Sequence, residues 1–458
     1  MGAPFTRRIS EVSAPKSEPP WPPSAYSWYV VGVLTIAYVF SFIDRQILQL
    51  LVVPIRRDLQ ISDTQMSLLM GLSFAVFYTF FGIPLGRLAD TSKRRNIIAA
   101  GIVFWSLATA SASLARNFLQ LLLVRIGVGA GEATLSPSAY SLIADYFPPE
   151  RRTTAISVYS MGIYLGGGIA TLLGGLIVRL SSAYDNIPVP LLGVIRPWQL
   201  VFLIVGLAGG AFAVLLFTVR EPIRRGVRAE AERGSSEPRQ SSLKTVFSYI
   251  RDNRATFVAH NLGFSILSLS GYGSGAWLPT FFIRRHGWSA AEAGALIGGV
   301  GIVFGASGLI AGGRLADYLK ARGIQDANLR VGIYAALATV PFTIVYCLSP
   351  SAKLAAVMMA PSIFLAALPI GPAIAALQEM VPNEMRGQTS AIFLFATNLI
   401  GLGLGPTAVT LLTDYVFHDD NQLHLSILLV VMFALSAGSL LLWRGLRPYR
   451  ATIDQLSR

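Results

Sequence analysis

Charge is scarce in this chain: only 13% of its 458 residues are Asp, Glu, Lys or Arg, about half the share usual in soluble domains. Cysteine is scarcer still. The single Cys347 excludes an intramolecular disulfide and any paired-cysteine metal or redox motif. The four histidines, His260, His286, His418 and His424, are scattered, with no H-E-x-x-H or paired spacing that would hold a metal. No G-x-x-x-x-G-K-[ST] loop supports ATP drive, and no G-x-S-x-G marks a nucleophile elbow. Gly127-Val128-Gly129-Ala130-Gly131 resembles a phosphate loop in letters only, because it lies inside an apolar run with no preceding strand. No cofactor and no metal are therefore expected. A net charge of +13 could suit nucleic acid, but the basic residues sit between apolar runs and form no nucleic-acid motif. A membrane surface explains them better, and no nucleic-acid partner is expected. What the chain has in excess is apolar surface: 53% hydrophobic residues and a mean hydropathy of +0.56. That composition describes a multi-pass membrane protein.

The stretch around which the chain is organised is Arg125–Glu132, RIGVGAGE. It sets two full charges inside an apolar run from Phe118 to about Ile143, long enough to cross a bilayer at ~1.5 Å per residue. A charge at mid-membrane costs about 2.5–3.5 kcal/mol on insertion scales, so Arg125 and Glu132 are expected to line a polar cavity rather than face lipid. Their seven-residue spacing places them on one helix face about 10 Å apart along the axis, too far for a direct pair. Their partners must come from other helices. Gly127, Gly129 and Gly131 thin the wall of this helix and let a neighbour come close.

Twelve apolar spans are expected, near residues 27–53, 64–86, 96–115, 118–143, 153–179 and 197–219, then 255–283, 290–313, 329–349, 353–380, 386–413 and 423–443. These give an N-terminal six-helix bundle over 26–219 and a C-terminal one over 255–444. Residues 1–25, Pro/Ser-rich and without a signal-peptide core, read as a disordered cytosolic tail, and 445–458 as a second cytosolic tail. The linker 220–254 carries nine basic residues against five acidic ones and reads as polar, with no core residues of its own. Lys93-Arg94-Arg95, the linker, Arg314–Arg330 and Arg444–Arg450 share one side, so both termini are expected in the cytosol of a plasma or inner membrane. Arg56-Arg57 breaks the trend and is expected among headgroups on the other side.

Internal repetition is the strongest fold signal. Gly86-Arg87-Leu88-Ala89-Asp90 recurs letter for letter as Gly313-Arg314-Leu315-Ala316-Asp317, 227 residues on, about half the chain. A fainter echo links Pro149-Glu150-Arg151-Arg152 to Pro382-Asn383-Glu384-Met385-Arg386. The stretch GRLADTSKRR at Gly86–Arg95 resembles the loop between the second and third helices of the major facilitator superfamily. Within it, Phe42-Ile43-Asp44-Arg45, RIGVGAGEA at Arg125–Ala133 and Ala276–Phe282 resemble the Spinster-like lipid transporters. The resemblance implies an all-α fold of twelve transmembrane helices in two pseudo-symmetric bundles, and a carrier working by alternating access, not an enzyme. A monomer is expected.

The loop motif has a physical reading too. Gly82 and Gly86 permit close helix contact, and Asp90, near a helix end, can accept hydrogen bonds from a neighbouring helix. Such contacts form in one state of a rocking bundle and break in the other, so Gly86, Asp90, Arg94 and Asp317 are expected gate residues. His260 is expected near the membrane interface.

By helical rise, Asp44 and Arg125 lie about 26 and 27 Å from the inner ends of their spans and are a candidate ion pair. Glu132 lies nearer the midplane, with Ser136 one turn further inward on the same face. Arg45 points about 100° away from Asp44. In a low-dielectric cavity desolvation favours a protonated carboxylate and a nearby Arg an ionised one, so Asp44 and Glu132 are the expected proton sites. Arg45 and Arg125 suit an anionic headgroup, Arg being the better fork for phosphate. The C-terminal half offers no matching charge but has Tyr272, Trp277, Phe364, Phe393, Phe395 and the lone amide of Asn398. A cavity charged on one wall and apolar on the other suits an amphiphile with an acidic head and an acyl tail, with Arg45, Arg125, Ser136 and Asn398 as binding residues; the resemblance to Spinster-like proteins implies a lysophospholipid or sphingosine-phosphate type, carried with proton coupling. A carrier of small organic anions or drugs is the alternative, and a lipid-modifying membrane enzyme a remote one.

Overall fold

A chain this apolar has one way to cross a bilayer without leaving amides unpaired, which is to close every backbone hydrogen bond within helices. The computed structural model describes residues 20–181, 186–190, 193–224, 243–382 and 385–456. Among these, eleven helices are long and apolar enough to span a membrane. The first half holds α1 Ser24–Leu50, α2 Asp63–Gly82, α3 Arg94–Leu114, α4 Phe118–Tyr146, α5 Ala155–Val178 and α6 Pro197–Thr218. The second holds α7 Arg254–His286, then α8 Ala290–Ala321, α9 Ala327–Leu348, α10 Ala352–Glu379, α11 Arg386–Phe417 and α12 Asp420–Leu456. The expected seventh span, α7, has ample length at 33 residues. It falls short of the other eleven in apolar character because serines and glycines crowd the stretch from Ser265 to Gly275. Prolines inside α7, α9 and α10, Pro279, Pro341 and Pro361, are tolerated because neighbouring helices re-satisfy the freed carbonyls.

With an even number of spans, both chain termini lie at one end of the bundle; the opposite end is called the far end. A hairpin pairing Ile187–Val189 with Gly193–Ile195 joins α5 to α6 there. The tightest approaches between the halves also lie toward the far end. A Cβ on Gly294 of α8 would collide with the Thr171 carbonyl of α5, and one on Gly71 of α2 would come within 2.5 Å of the Leu402 carbonyl of α11. The Gly71–Leu402 contact joins two π-helical turns, Leu68–Leu72 and Asn398–Leu404. Toward the terminal end, Gly82, Gly86 and Gly313 meet nothing within 4 Å of where a Cβ would sit. The close contact expected of Gly82 and Gly86 is therefore not made in this conformation, because the halves meet at the other end.

Gly294→Ala follows as a test of this seam. Overpacking against a backbone carbonyl should cost about 1–3 kcal/mol and lower the melting temperature of the purified chain by a few degrees. An unchanged melting temperature would mean that α5 and α8 are not pressed together.

The linker corrects one expectation. Leu243–Asp252 is a helix with a fully buried Val246, and Tyr249 and Ile250 pack on the core, an i, i+3, i+4 stripe hidden among charges. Tyr249 donates its hydroxyl to the Met380 carbonyl at 2.9 Å. The expected absence of core residues fails here; residues 225–242 lie outside the described residues.

Candidate functional site

Helix α1 sorts its polar residues onto two faces. Ser41 and Asp44 are buried within the first half, while Phe42, Arg45, Gln46 and Gln49 turn toward the second and line a cavity between the halves. Met70, Phe74 and Tyr78 of the α2 helix, Tyr272 and Ala276 of α7, and Asn398, Leu402 and Pro406 of α11 complete a cavity of about 60 Å³. That is room for a few waters, each needing at least ~10–15 Å³ by the same measure.

Arg45 is the centre of this wall. Its Nε donates to Glu132 Oε2 at 2.6 Å, and Ser41 Oγ donates to the same oxygen at 2.6 Å. Glu132 is fully buried while the Arg45 side chain is 17% exposed, so this pair is open to the cavity from the arginine side only. The guanidinium carbon lies 4.9, 4.5 and 4.9 Å from the ring centres of Phe42, Phe74 and Tyr78, which fixes its plane. Among the described residues its two Nη groups have no hydrogen-bond acceptor. Glu132 Oε1 is also without a partner. Glu132 ends the first helical stretch of α4, Phe118–Glu132, before a two-residue turn and the stretch Leu135–Tyr146. The thin wall expected of the α4 glycines is used by α2 and α3: a Cβ on Gly129 would sit 3.0 Å from the Phe74 carbonyl, and one on Gly131 2.8 Å from Trp105.

Asp44 and Arg125 do not form the expected ion pair. Arg125 Nε donates to the Leu69 carbonyl at 3.0 Å and Nη1 to the backbone carbonyl of Asp44 at 3.2 Å, while its Nη2 and Asp44 Oδ1 are both buried without a partner. The π-helical turn at Leu68–Leu72 shifts the carbonyl register of α2 and makes Leu69 an acceptor for a side chain. The guanidinium is held there, off the carboxylate. Arg125 and Ser136 do not line the cavity; the Ser136 hydroxyl lies 3.4 Å from that of Tyr159. Of the four expected binding residues, Arg45 and Asn398 face the cavity together. Gln46 and Gln49 were missed, although two amides within a turn of Arg45 in an apolar span were a readable signal. In the second half Trp277 is fully buried and donates to the Pro406 carbonyl at 3.1 Å; it packs rather than lines.

Among the expected gate residues, Arg94 is buried and clasped. It donates to Asp145 Oδ2 at 2.5 Å, to Glu221 Oε1 at 2.8 Å and to the Ser141 hydroxyl at 2.8 Å, so it ties α3 to α4 and to the head of the linker within one half. Glu221 also accepts from the Arg95 amide at the α3 N-terminus, and Arg224 donates to the Ala89 and Ser92 carbonyls, capping both helices of the motif loop. The side chain of Asp90 lies outside the described residues. Asp317 is exposed. His260, expected near the interface, is fully buried instead: its ring nitrogens lie 2.9 Å from Asn261 Oδ1 and 2.8 Å from the Ala373 carbonyl, a pairing that lets an imidazole sit inside the second half.

The far end holds a charge cluster that sequence reading missed. Arg56, after α1, pairs with Asp63 at 3.0 Å and Asp420 at 2.5 Å. Arg284, at the end of α7, pairs with the same Asp63 at 2.5 Å. Arg56 is therefore not free among headgroups as expected. Thr64 donates its amide and hydroxyl to Asp414 at 2.8 and 2.7 Å. The carboxylates of Asp63, Asp414 and Asp420 lie within 4.8 Å of one another, a spacing that could suit a cation, but two guanidiniums already occupy their charge. Every one of these contacts except Arg56–Asp63 crosses between the halves.

Residues 34–406 match the model of the Major Facilitator Superfamily. An MFS-type efflux pump of Mycolicibacterium smegmatis is 28% identical over 94% of this chain and 95% of its own length. The sphingosine-1-phosphate transporter of Danio rerio is 27% identical over 56% of this chain, which spans about half of that relative. A solved bacterial homologue of the human lysosomal transporter Spinster, in an inward-facing and occupied conformation, superposes with a TM-score of 0.74 at 27% identity, over 94% of this chain and 97% of that one. The chain belongs to the Major Facilitator Superfamily and has Spinster-like relatives.

Proposed function

We propose that this chain is a secondary carrier of amphiphiles with an anionic head, of lysophospholipid or sphingosine-phosphate type, coupled to protons and working by alternating access. One observation supports the reading most: Arg45, turned into the cavity between the halves with both Nη groups without an acceptor among the described residues and its plane held by three rings. A phosphate oxygen pair matches that fork. The amides of Gln46, Gln49 and Asn398 lie around it, and Met70, Ala276, Leu402 and Pro406 offer apolar surface for the start of a tail.

Coupling follows from sharing one cation between two anions. With the cavity empty, Arg45 neutralises Glu132. A bound phosphate draws that charge toward itself, and a buried carboxylate deprived of its cation takes up a proton, at Oε1, the oxygen without a partner. Asp44, with one oxygen similarly unpaired, is the second proposed proton site. Arg94 and the motif loop, with Gly86, Asp90 and Asp317, are proposed to close the terminal end in the opposite state. The basic linker, Lys93–Arg95 and the tail support a cytosolic position for that end.

The alternative, a carrier of small organic anions or drugs, draws on the efflux-pump relative, which covers nearly all of the chain, and on the small cavity. Proteoliposome flux of a lysolipid at set inner and outer pH tests the first reading, with uptake expected to follow the proton gradient. In a thermal-shift competition, matched anionic heads with and without a long tail decide between the two. Equal protection by both would overturn the lipid reading.

A further inference from the structure

On the lipid-facing side of the first half, α3 and the end of α6 leave a furrow of about 570 Å³ lined by Ala99, Ala100, Val103, Phe104, Leu107 and Phe217, with Arg95 and Asn96 at one end. Several features separate it from the ordinary convex surface of a membrane helix. Two alanines stand where larger side chains would fill it, and Phe104 and Phe217 bring rings from two different helices. Helix α6 tightens into a 3-10 turn at Ala213–Thr218, beside the furrow. From Arg95 to Leu107 the furrow runs about 18 Å by helical rise, the scale of an acyl chain.

Its polar end is prepared for an anion. Arg95 lies against the Phe217 ring at 5.9 Å, its Nη1 donates to the Val219 carbonyl at 3.3 Å and its Nε to Asn96 Oδ1 at 3.1 Å. Among the described residues its Nη2 has no such bond. Lys93 and Arg220, both exposed, adjoin Arg95 and its acceptor Val219 along the chain. Among the described residues the acidic neighbour is Glu221, which is already paired with Arg94 at 2.8 Å. A cationic head region over an apolar furrow matches a lipid with a negative head, in the leaflet at the terminal end.

We infer that this furrow is a binding site for one anionic phospholipid, with its phosphate on Arg95 and one acyl chain along Ala100, Phe104 and Phe217. The site is separate from the cavity between the halves and does not depend on what the chain transports. Its occupant would rest on the same loop that Glu221 and Arg224 cap, and so would stiffen the terminal end of the first half.

Native mass spectrometry of the delipidated full chain, titrated with dioleoyl phosphatidylglycerol or dioleoyl phosphatidylcholine, tests the inference. Phosphatidylglycerol should be retained about tenfold better, because both lipids offer a phosphate but the choline cation of phosphatidylcholine offsets its charge beside Lys93, Arg95 and Arg220, a difference of about 1 kcal/mol or a little more. Arg95→Gln should abolish that preference. Ala100→Trp, at an exposed position with no core to disturb, should displace the lipid while leaving the melting temperature of the delipidated chain unchanged. Glycerol phosphate, which has the head but no tail, should not compete. Equal retention of the two lipids, a preference that survives Arg95→Gln, or undiminished lipid on folded Ala100→Trp would each overturn the site.

Discussion

Arg45→Ala should abolish anion-dependent flux and destabilise the chain by about 3–5 kcal/mol, the cost of leaving one member of a buried pair without its partner. The stranded group is Glu132, which is fully buried and keeps only the Ser41 hydroxyl, at 2.6 Å. Protonation of Glu132 relieves part of that cost, so the loss should be larger at alkaline than at mildly acidic pH. The double variant Arg45→Ala/Glu132→Gln removes both charges and should recover most of the melting temperature, since replacing a buried pair outright is often close to neutral. It should not recover flux, because the head would have lost its fork. Glu132→Gln alone should keep Arg45 in its ring of Phe42, Phe74 and Tyr78 and still bind the anion, while flux ceases to follow the proton gradient. A double variant as unstable as Arg45→Ala, or pH-driven flux intact in Glu132→Gln, would remove this pair from the mechanism.

What the sequence made legible, and what it hid, follows from the range of each signal. Spans are local and apolar, so the ends expected for α3 and α9 lie within two residues of those observed. The letter-for-letter repeat at Gly86 and Gly313 carried the division into halves, and a charge in the middle of an apolar run was enough to place Glu132 in the interior. Partners were harder, because they depend on heights, rotations and local helix irregularities at once. Asp44 and Arg125 came out level, yet a single π turn at Leu68–Leu72 offers the Leu69 carbonyl and draws the guanidinium away. Arg45, expected to hold a substrate head and to share no partner with Asp44, reaches Glu132 from that other face. The far-end cluster was invisible for a different reason: Asp63 and Arg284 stand 221 residues apart at helix ends, where a single charge looks like ordinary solvated surface.

That cluster carries the second large effect. Asp63 is fully buried and accepts from Arg284 at 2.5 and 2.8 Å while also facing Arg56 at 3.0 Å, so one carboxylate holds a cation from each half. The Arg284–Asp63 contact exists only while the halves are closed at the far end; in the opposite state of a rocking bundle Arg284 would face water, while Arg56 would keep Asp63 within the first half. Asp63→Asn keeps the shape and the helix start at Asp63–Ser67 but removes the charge, leaving Asp420, half exposed at 48%, to hold both guanidiniums. A loss of about 3 kcal/mol specific to one state shifts the balance between the two states by about a hundredfold toward the far-open one. A cysteine in place of Met70, which lines the cavity and is 6% exposed, reports the shift, with the buried native Cys347 staying silent. A membrane-impermeant maleimide added at the far end should label Met70→Cys much faster when Asp63→Asn is also present. The same labelling rate with and without Asp63→Asn would mean that the close-packed seam of Gly71 on Leu402 and Gly294 on Thr171, rather than the ion pairs, keeps that end shut.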